Sequence, residues 1–130
     1  MRVDGCQTWC MGLYTVAEAR AALGRLRPLL DELVAVRADA AELAAALAPG
    51  GAATALGGLP EWKARSARFD ELVTEVQQSG AHLKGVAPLL LDFPAELDGM
   101  PVLLCWLEGD RDLAWYHRAD LGFAGRRRLD

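Results

Sequence analysis

The chain has 130 residues, of which 52% are hydrophobic and 25% are charged, and its formal net charge is -4 at pH 7. This length is enough for one domain with a hydrophobic core, and the acidic balance argues against general nucleic-acid binding. No apolar run reaches the roughly 20 residues that a membrane-spanning helix needs, so we expect no membrane association. Because no basic-then-apolar segment of the signal-peptide type opens the chain, we expect a cytoplasmic protein.

Residues 1–12 carry no periodic pattern and are interpreted as an N-terminal tail that precedes a single α+β domain over residues 13–130. The tail holds Cys6 and Cys10, two of the three cysteines, which a cytosol would keep reduced. Their spacing would suit a metal site on a helix, but no second pair of Cys or His residues accompanies them. A tail without a metal is therefore the preferred interpretation.

A long first helix is predicted to begin after Thr15, because Thr15 and Glu18 have the spacing of a capping box. Pro28 falls inside the helical pattern and should bend the helix rather than end it, since the periodicity resumes unchanged. Apolar residues recur at intervals of three and four, as in the seam of a coiled coil. The members of this seam are Val16, Ala19, Leu23, Leu26, Leu30, Leu33, Ala40 and Leu47.

Pro49-Gly50-Gly51 ends the first helix, and a second helix is predicted from Pro60 or Glu61 to Ser79, with Gly80 just beyond its end. The two helices should form an antiparallel hairpin. At about 1.5 Å per residue, the first helix reaches about 48 Å and the second about 28 Å. The first helix would then overhang with an apolar seam, which predicts a homodimer through this helix or a partner protein.

Two strands are predicted at 89–97 and 100–107, because Asp98-Gly99 lies between two apolar runs and suits a two-residue hairpin turn. In that register Asp92 faces Cys105, and both lie on one face of the sheet. The opposite, apolar face is assigned to the core. It carries Leu91, Phe93, Val102, Leu104 and Trp106.

A third strand is predicted at 113–117, which completes a three-stranded antiparallel meander. With a three-residue loop at 110–112, Cys105 would pair with His117, and Asp92, Cys105 and His117 would form one row. With an even-numbered loop, His117 would face the other side. The sequence leaves both registers open.

Several short motifs, taken together in their order, resemble the bacterial domain of unknown function 2203 family over residues 13–130. This family is uncharacterised, so the resemblance implies no activity. The chain departs from the family at Asp110, where Glu is usual, at Tyr116, where Trp is usual, and at Leu89, where Gly is usual. The motifs are Thr15-x-x-Glu18-Ala19, Gly80-x-x-x-Lys84, Asp92-Phe93-Pro94-Ala95, Gly99, Leu104-Cys105-Trp106, Gly109, His117 and Gly122-Phe123-Ala124-Gly125-Arg126.

Asp92, Cys105 and His117 are the residue types from which a site would be built. Zinc or another divalent metal accepts oxygen, sulfur and nitrogen ligands of these kinds. The same three types suit a hydrolytic triad, although no glycine-rich elbow or helix N-terminus stands ready as an oxyanion hole. The candidate pocket as a whole comprises Lys84, Asp92, Cys105, Trp106, Asp110, Trp115, His117 and Arg126.

Each of these residues also has an ordinary structural interpretation. Cys105 suits a small buried hydrophobe, Asp92 a turn-forming carboxylate, and His117 a hydrogen-bonded surface residue. The glycine-flanked loop 122–125 and the arginines at 126–128 could hold a phosphate or carboxylate, or could form a solvated basic tail.

The leading hypothesis is a cytoplasmic, non-enzymatic interaction or small-ligand-binding protein that self-associates through its long helix. The alternative is a small metal- or thiol-dependent enzyme that uses Asp92, Cys105 and His117. Whether the protein is an enzyme, and what it binds, is left open by the sequence.

Overall fold

A computed structural model describes residues 13–129, so the tail and its Cys6 and Cys10 lie outside the described residues. Over residues 13–129 the fold is α+β, with two α-helices followed by five β-strands. Neither helix of this part of the chain is long and apolar enough to cross a membrane. The elements are α1 (Val16–Leu47), α2 (Leu59–Gln78), β1 (His82–Val86), β2 (Leu89–Leu97), β3 (Met100–Leu107), β4 (Trp115–Arg118), a 3-10 helix (Phe123–Gly125) and β5 (Arg127–Arg128).

The start of α1 is the predicted capping box. The backbone N–H of Thr15 donates to Glu18 Oε1 at 2.9 Å, and the backbone N–H of Glu18 donates to Thr15 Oγ1 at 3.0 Å. Two donors that the helix cannot pair internally are thereby satisfied. Pro28 lies inside α1 without ending it, as its unchanged periodicity predicted.

The apolar seam of α1 is mostly covered within the chain itself. Ala19, Leu23, Leu30 and Leu33 are buried, whereas Leu47 at the end of the seam is 45% exposed. The overhang that motivated self-association is therefore confined to the last turns of the helix. A homodimer through helix 1 stays a prediction, with less apolar surface to support it.

The described chain divides into two compact units. One unit is Arg27–Val76, and the other joins the residues up to Leu26 with those from Gln77 onward. In the first of these, Arg68 Nε lies 2.8 Å from Glu32 Oε2 and Arg65 Nε lies 3.3 Å from Asp39 Oδ2, so ion pairs connect α1 and α2. The single domain over 13–130 stays a prediction.

The strands form one antiparallel sheet in the order β1-β2-β3-β4-β5. The prediction of three strands was incomplete, because it missed both edge strands. β1 contains a glycine and an irregularity between Leu83 and Gly85, and β5 has only two residues. Neither offers the alternating apolar pattern by which strands are recognised.

The third predicted strand begins two residues later than expected, at Trp115 rather than Leu113. The side chain of Leu113 is buried in the connection before β4. Its carbonyl oxygen accepts from Arg20 Nε at 3.1 Å and from Arg20 Nη2 at 3.0 Å. Leu113 therefore anchors the loop to the beginning of α1 instead of pairing in the sheet.

The hairpin between β2 and β3 has the predicted turn and register. Asp98 and Gly99 have positive φ angles of 53° and 78°, as a type I′ turn requires. Leu97 pairs with Met100, and Asp92 pairs with Cys105. Both faces of the hairpin are buried. Asp92 and Cys105 are therefore buried on the face opposite Phe93.

Gly80 joins α2 to the sheet in a conformation that only glycine adopts easily. Its φ is 99°, and a Cβ at this position would lie 2.8 Å from the hydroxyl oxygen of Tyr14. Gly80→Ala should therefore lower the free energy of unfolding in urea by about 1–2 kcal/mol. Gly24→Ala is the control, since it lies inside α1 with nothing within 4 Å of its Cβ, and it should raise stability by up to about 1 kcal/mol. Equal effects of the two variants would contradict the close contact.

Candidate functional site

The middle of the sheet brings Asp92, Cys105 and His117 onto one covered face. Asp92 pairs with Cys105, but Cys105 then pairs with Trp115, and His117 pairs with Leu103. The register with Cys105 opposite His117 is therefore not the one observed. Because the shift is by two residues, the parity is unchanged and His117 stays on the face of Asp92.

Asp92 and His117 are the two buried polar residues of this face. His117 Nε2 lies 3.6 Å from Asp92 Oδ2, and the two side chains are only 6% and 5% exposed. This separation is longer than a direct hydrogen bond and within reach of an ion pair. The surface interpretation of His117 is therefore wrong, because its side chain is buried.

The hydrogen bonds of His117 determine where its proton lies. Nδ1 is 3.0 Å from the carbonyl oxygen of Arg118 and 2.9 Å from that of Leu121. A carbonyl oxygen only accepts, so Nδ1 carries a proton and donates. Nε2 would then present a lone pair to the Asp92 carboxylate unless a second proton lies between them. At 3.6 Å this gap is too long for a direct hydrogen bond, so the contact between the ring and the Asp92 carboxylate is an ion pair when the ring carries that second proton.

Burial raises the pKa of the Asp92 carboxyl above its usual range, and the nearby charges of His117 and Lys84 oppose that shift. Burial also raises the pKa of the Cys105 thiol to about 12, with the charge of Asp92 adding to the effect and that of Arg126 opposing it. The thiol and the Asp92 carboxyl lie opposite each other in the register of β2 and β3. At neutral pH Cys105 is therefore a neutral thiol, not a nucleophilic thiolate.

Arg126 lies between two aromatic rings beside this cluster. Its guanidinium carbon is 4.5 Å from the centre of the Trp115 ring and 4.4 Å from that of Phe123. Its Nη1 is buried and has no hydrogen-bond partner among the described residues. Phe123 was missed by sequence reasoning, although its position three residues before Arg126, in a glycine-flanked turn, was a usable signal.

The loop that carries Phe123 contributes little of the backbone that the sequence offered for an anion. The N–H of Gly125 donates to the carbonyl of Gly122, and that of Arg126 donates to the carbonyl of Phe123. These two amides are occupied by the turn itself. Recognition of an anion would therefore depend on the Arg126 side chain.

A second unpartnered atom lies on the same face. Asp92 Oδ1 is buried and has no hydrogen-bond partner among residues 13–129. A buried donor or acceptor left unpaired costs about 1–3 kcal/mol, and more when charged, so such atoms in a folded protein normally meet water or a ligand. The face therefore holds an unused donor on Arg126 and an unused acceptor on Asp92.

The remaining predicted pocket residues, Trp106, Asp110 and Lys84, have different positions and roles. Trp106 is on the core face, where its indole N–H donates to the carbonyl oxygen of Asp110 at 2.8 Å. The Asp110 carboxylate accepts from the backbone N–H of Leu107 at 3.0 Å, so it shapes the turn after β3. Lys84, in the irregular part of β1, is exposed and close enough to lower the Asp92 pKa.

The metal assignment to Asp92, Cys105 and His117 stays a prediction. Within the part of the chain that the structure describes, no group of three or more His, Cys, Asp or Glu side chains is arranged to hold a metal ion. A thiol ligand would also have to lose its proton, which the buried position of Cys105 opposes. The geometry gives this assignment no support.

Comparison with known proteins yields a family and no further relative. A family model described as an uncharacterized conserved protein (DUF2203) matches residues 12–129. No curated protein and no solved structure matches the chain. No function can therefore be carried over from a relative.

Proposed function

Because the chain belongs to the DUF2203 family, whose description states no activity, we propose its function from the site alone: it binds a small carboxylate or phosphate through Arg126. The single observation that carries this proposal is the Arg126 guanidinium, which lies over the rings of Trp115 and Phe123 with its Nη1 buried and unpartnered among residues 13–129. The proposal is a specific form of the leading hypothesis of a small-ligand-binding protein, with Arg126 as the binding residue.

The contact with the two rings suits anion recognition because the rings attract the charge of the guanidinium and accept no conventional hydrogen bond from it. Guanidinium edges carry the N–H groups that bind carboxylate and phosphate in a bidentate manner. The two rings also restrict the side chain, so less conformational entropy is lost when an anion binds. Arg126 and Trp115 are half-buried, which places the guanidinium between the covered face and solvent.

Calorimetric titration with phosphate and with acetate tests this proposal. Arg126→Met should weaken binding of whichever anion the protein takes by about 10- to 100-fold, because a charge-assisted hydrogen bond contributes about 1.5–3 kcal/mol. Arg127→Met is the matched control, since Arg127 is exposed in the same segment and carries the same charge. It should leave the affinity nearly unchanged.

Two outcomes of that titration would contradict the proposal. Equal losses in the Arg126 and Arg127 variants would point to nonspecific attraction by a basic tail. Absence of binding at millimolar concentrations of both anions would remove the Arg126 site altogether.

A thiol- or metal-dependent enzyme built on Asp92, Cys105 and His117 is the weaker candidate. A nucleophilic cysteine needs a thiolate at working pH, and burial holds the Cys105 thiol protonated. The observed contacts of Asp92 and His117 support a positioning role instead. His117 connects β4 and the turn that leads to Phe123 with the strand that carries Asp92.

Two proposals about the scaffold stand apart from ligand binding. We propose that α1 and α2 form an antiparallel hairpin, supported by the ion pairs Arg68–Glu32 and Arg65–Asp39. Self-association through α1 has the exposed Leu47 as its support, and the mass of the protein in solution tests it. Neither proposal enters the assignment of Arg126.

A further inference from the structure

The two unpartnered atoms of the covered face are complementary in chemistry. Arg126 Nη1 is a positively charged donor, and Asp92 Oδ1 is an acceptor on a carboxyl group. A half-buried arginine and a buried aspartate on one face would ordinarily pair with each other. Here each atom lacks a hydrogen-bond partner among the described residues. A ligand that satisfies both must therefore carry an anionic group for Arg126 and a hydrogen-bond donor for Asp92.

Strand register places these two groups at opposite ends of a short row. Asp92 pairs with Cys105, and Cys105 pairs with Trp115, over whose ring Arg126 lies. Two neighbouring strand spacings of about 4.8 Å separate the first and last members of that row at the backbone. The Cys105 thiol lies between them in the row, and the charges of both Asp92 and Arg126 act on it.

We propose that the ligand of this site is a small amino acid or hydroxy acid, with its carboxylate on Arg126 and its ammonium or hydroxyl group on Asp92 Oδ1. This inference rests on the proposed anion site at Arg126 and names the class of ligand. A plain carboxylate would satisfy one of the two unpartnered atoms. A ligand that carries a donor a few bonds from its carboxylate satisfies both, and it leaves the uncharged thiol of Cys105 facing its carbon chain.

The arrangement of Asp92 and His117 fits this class of ligand. Oδ2 faces His117, and the Nδ1 proton of that ring is held by the carbonyl oxygens of Arg118 and Leu121. Asp92 therefore has one oxygen committed to the imidazole and one oxygen left to accept. His117 is a positioning residue in this arrangement, since it orients the carboxyl group and does not reach the ligand.

Calorimetry with matched pairs of acids tests the inference at pH 7. The pairs are acetate with glycine, propionate with β-alanine, and butyrate with γ-aminobutyrate; glycolate and 3-hydroxypropionate probe the hydroxyl case. In the wild-type protein, one chain length should bind at least about tenfold more tightly with its donor than without it, since a charge-assisted hydrogen bond is added. The row geometry favours a chain longer than that of glycine.

Asp92→Asn should remove most of the advantage of the ammonium group while retaining binding of the plain acid. Glu96→Gln is the matched control, because Glu96 is an exposed carboxylate on the same strand and the same face. It should retain the full advantage. If Asp92→Asn fails to fold, a nuclear magnetic resonance titration of the wild-type protein replaces it, and the His117 ring signals should shift with the amino acid more than with the plain acid.

The possible failures are distinguishable. Equal affinity for each acid and its amino counterpart would overturn the ligand class and leave the Arg126 site standing. Loss of the advantage in both the Asp92 and Glu96 variants would overturn the assignment of the donor to Asp92. Binding of phosphate but of none of these acids would overturn this inference and leave the proposed function standing, whereas binding of neither phosphate nor any acid would overturn both.

Discussion

His117→Ala is expected to lower the free energy of unfolding by about 3–5 kcal/mol, the usual cost of removing one partner from a buried ion pair. The variant leaves the Asp92 carboxyl buried without its imidazole, on a face where Oδ1 already lacks a partner among the described residues. It also deprives the carbonyl oxygens of Arg118 and Leu121 of the Nδ1 donor. Urea denaturation measures the effect through the transition midpoint at constant slope.

A double-mutant cycle with Asp92→Ala separates the pair from its surroundings. If the two buried side chains stabilise each other, removing both should cost less than the sum of the single losses, by about 1–3 kcal/mol. Asp120→Ala is the control, because it breaks an exposed ion pair with Arg118 in the neighbouring segment and should change stability little. Additive losses of His117→Ala and Asp92→Ala would contradict a stabilising contact between the two side chains.

Cys105 is expected to make the protein lose stability in alkali. The folded-state pKa of its thiol is raised to about 12 from the ordinary value of 9.0. A raised pKa means that the folded state holds the proton more tightly, so the contribution is complete below pH 9 and is lost as pH rises toward 12. The loss is about 1.4 kcal/mol per pH unit, on the order of 4 kcal/mol across the window.

Comparison with Cys105→Ala isolates this contribution from other groups that titrate in alkali. The variant is less stable at pH 8 because it creates a cavity in a fully buried position. Its disadvantage should shrink between pH 9 and 12, because only the wild-type protein carries the buried thiol. If the free energies of unfolding of the two proteins change in parallel from pH 9 to 12, the thiol has the same pKa in the folded and unfolded states, which would contradict this prediction.

Sequence reasoning succeeded where one local signal decided the structure. The capping box at Thr15 and Glu18 specified the start of α1, and the Asp98-Gly99 turn specified the register of Asp92 against Cys105. Both are short-range: a side chain reaches a backbone three residues away, or a pair of residues accepts positive φ. The family assignment likewise followed from a sequence of motifs.

Sequence reasoning was less successful where contacts between residues far apart in the chain determine the structure. The edge strands β1 and β5 have no alternating pattern, and only pairing with their neighbours makes them strands. The beginning of β4 depends on the carbonyl of Leu113, which Arg20 holds from α1. Because residues 108–114 alone do not reveal that contact, the sequence could not decide between the two registers for His117.

By itself, then, the sequence determined the helices, the central hairpin and the face that carries Asp92 and Cys105, because periodicity and turn chemistry act over a few residues. The tertiary structure alone decided that this face is covered, that the His117 ring lies against Asp92, and that the Arg126 guanidinium lies over the rings of Trp115 and Phe123 with an unused donor. Burial and the pairing of polar atoms depend on side chains brought together from distant positions, so they arise only when the whole sheet is assembled.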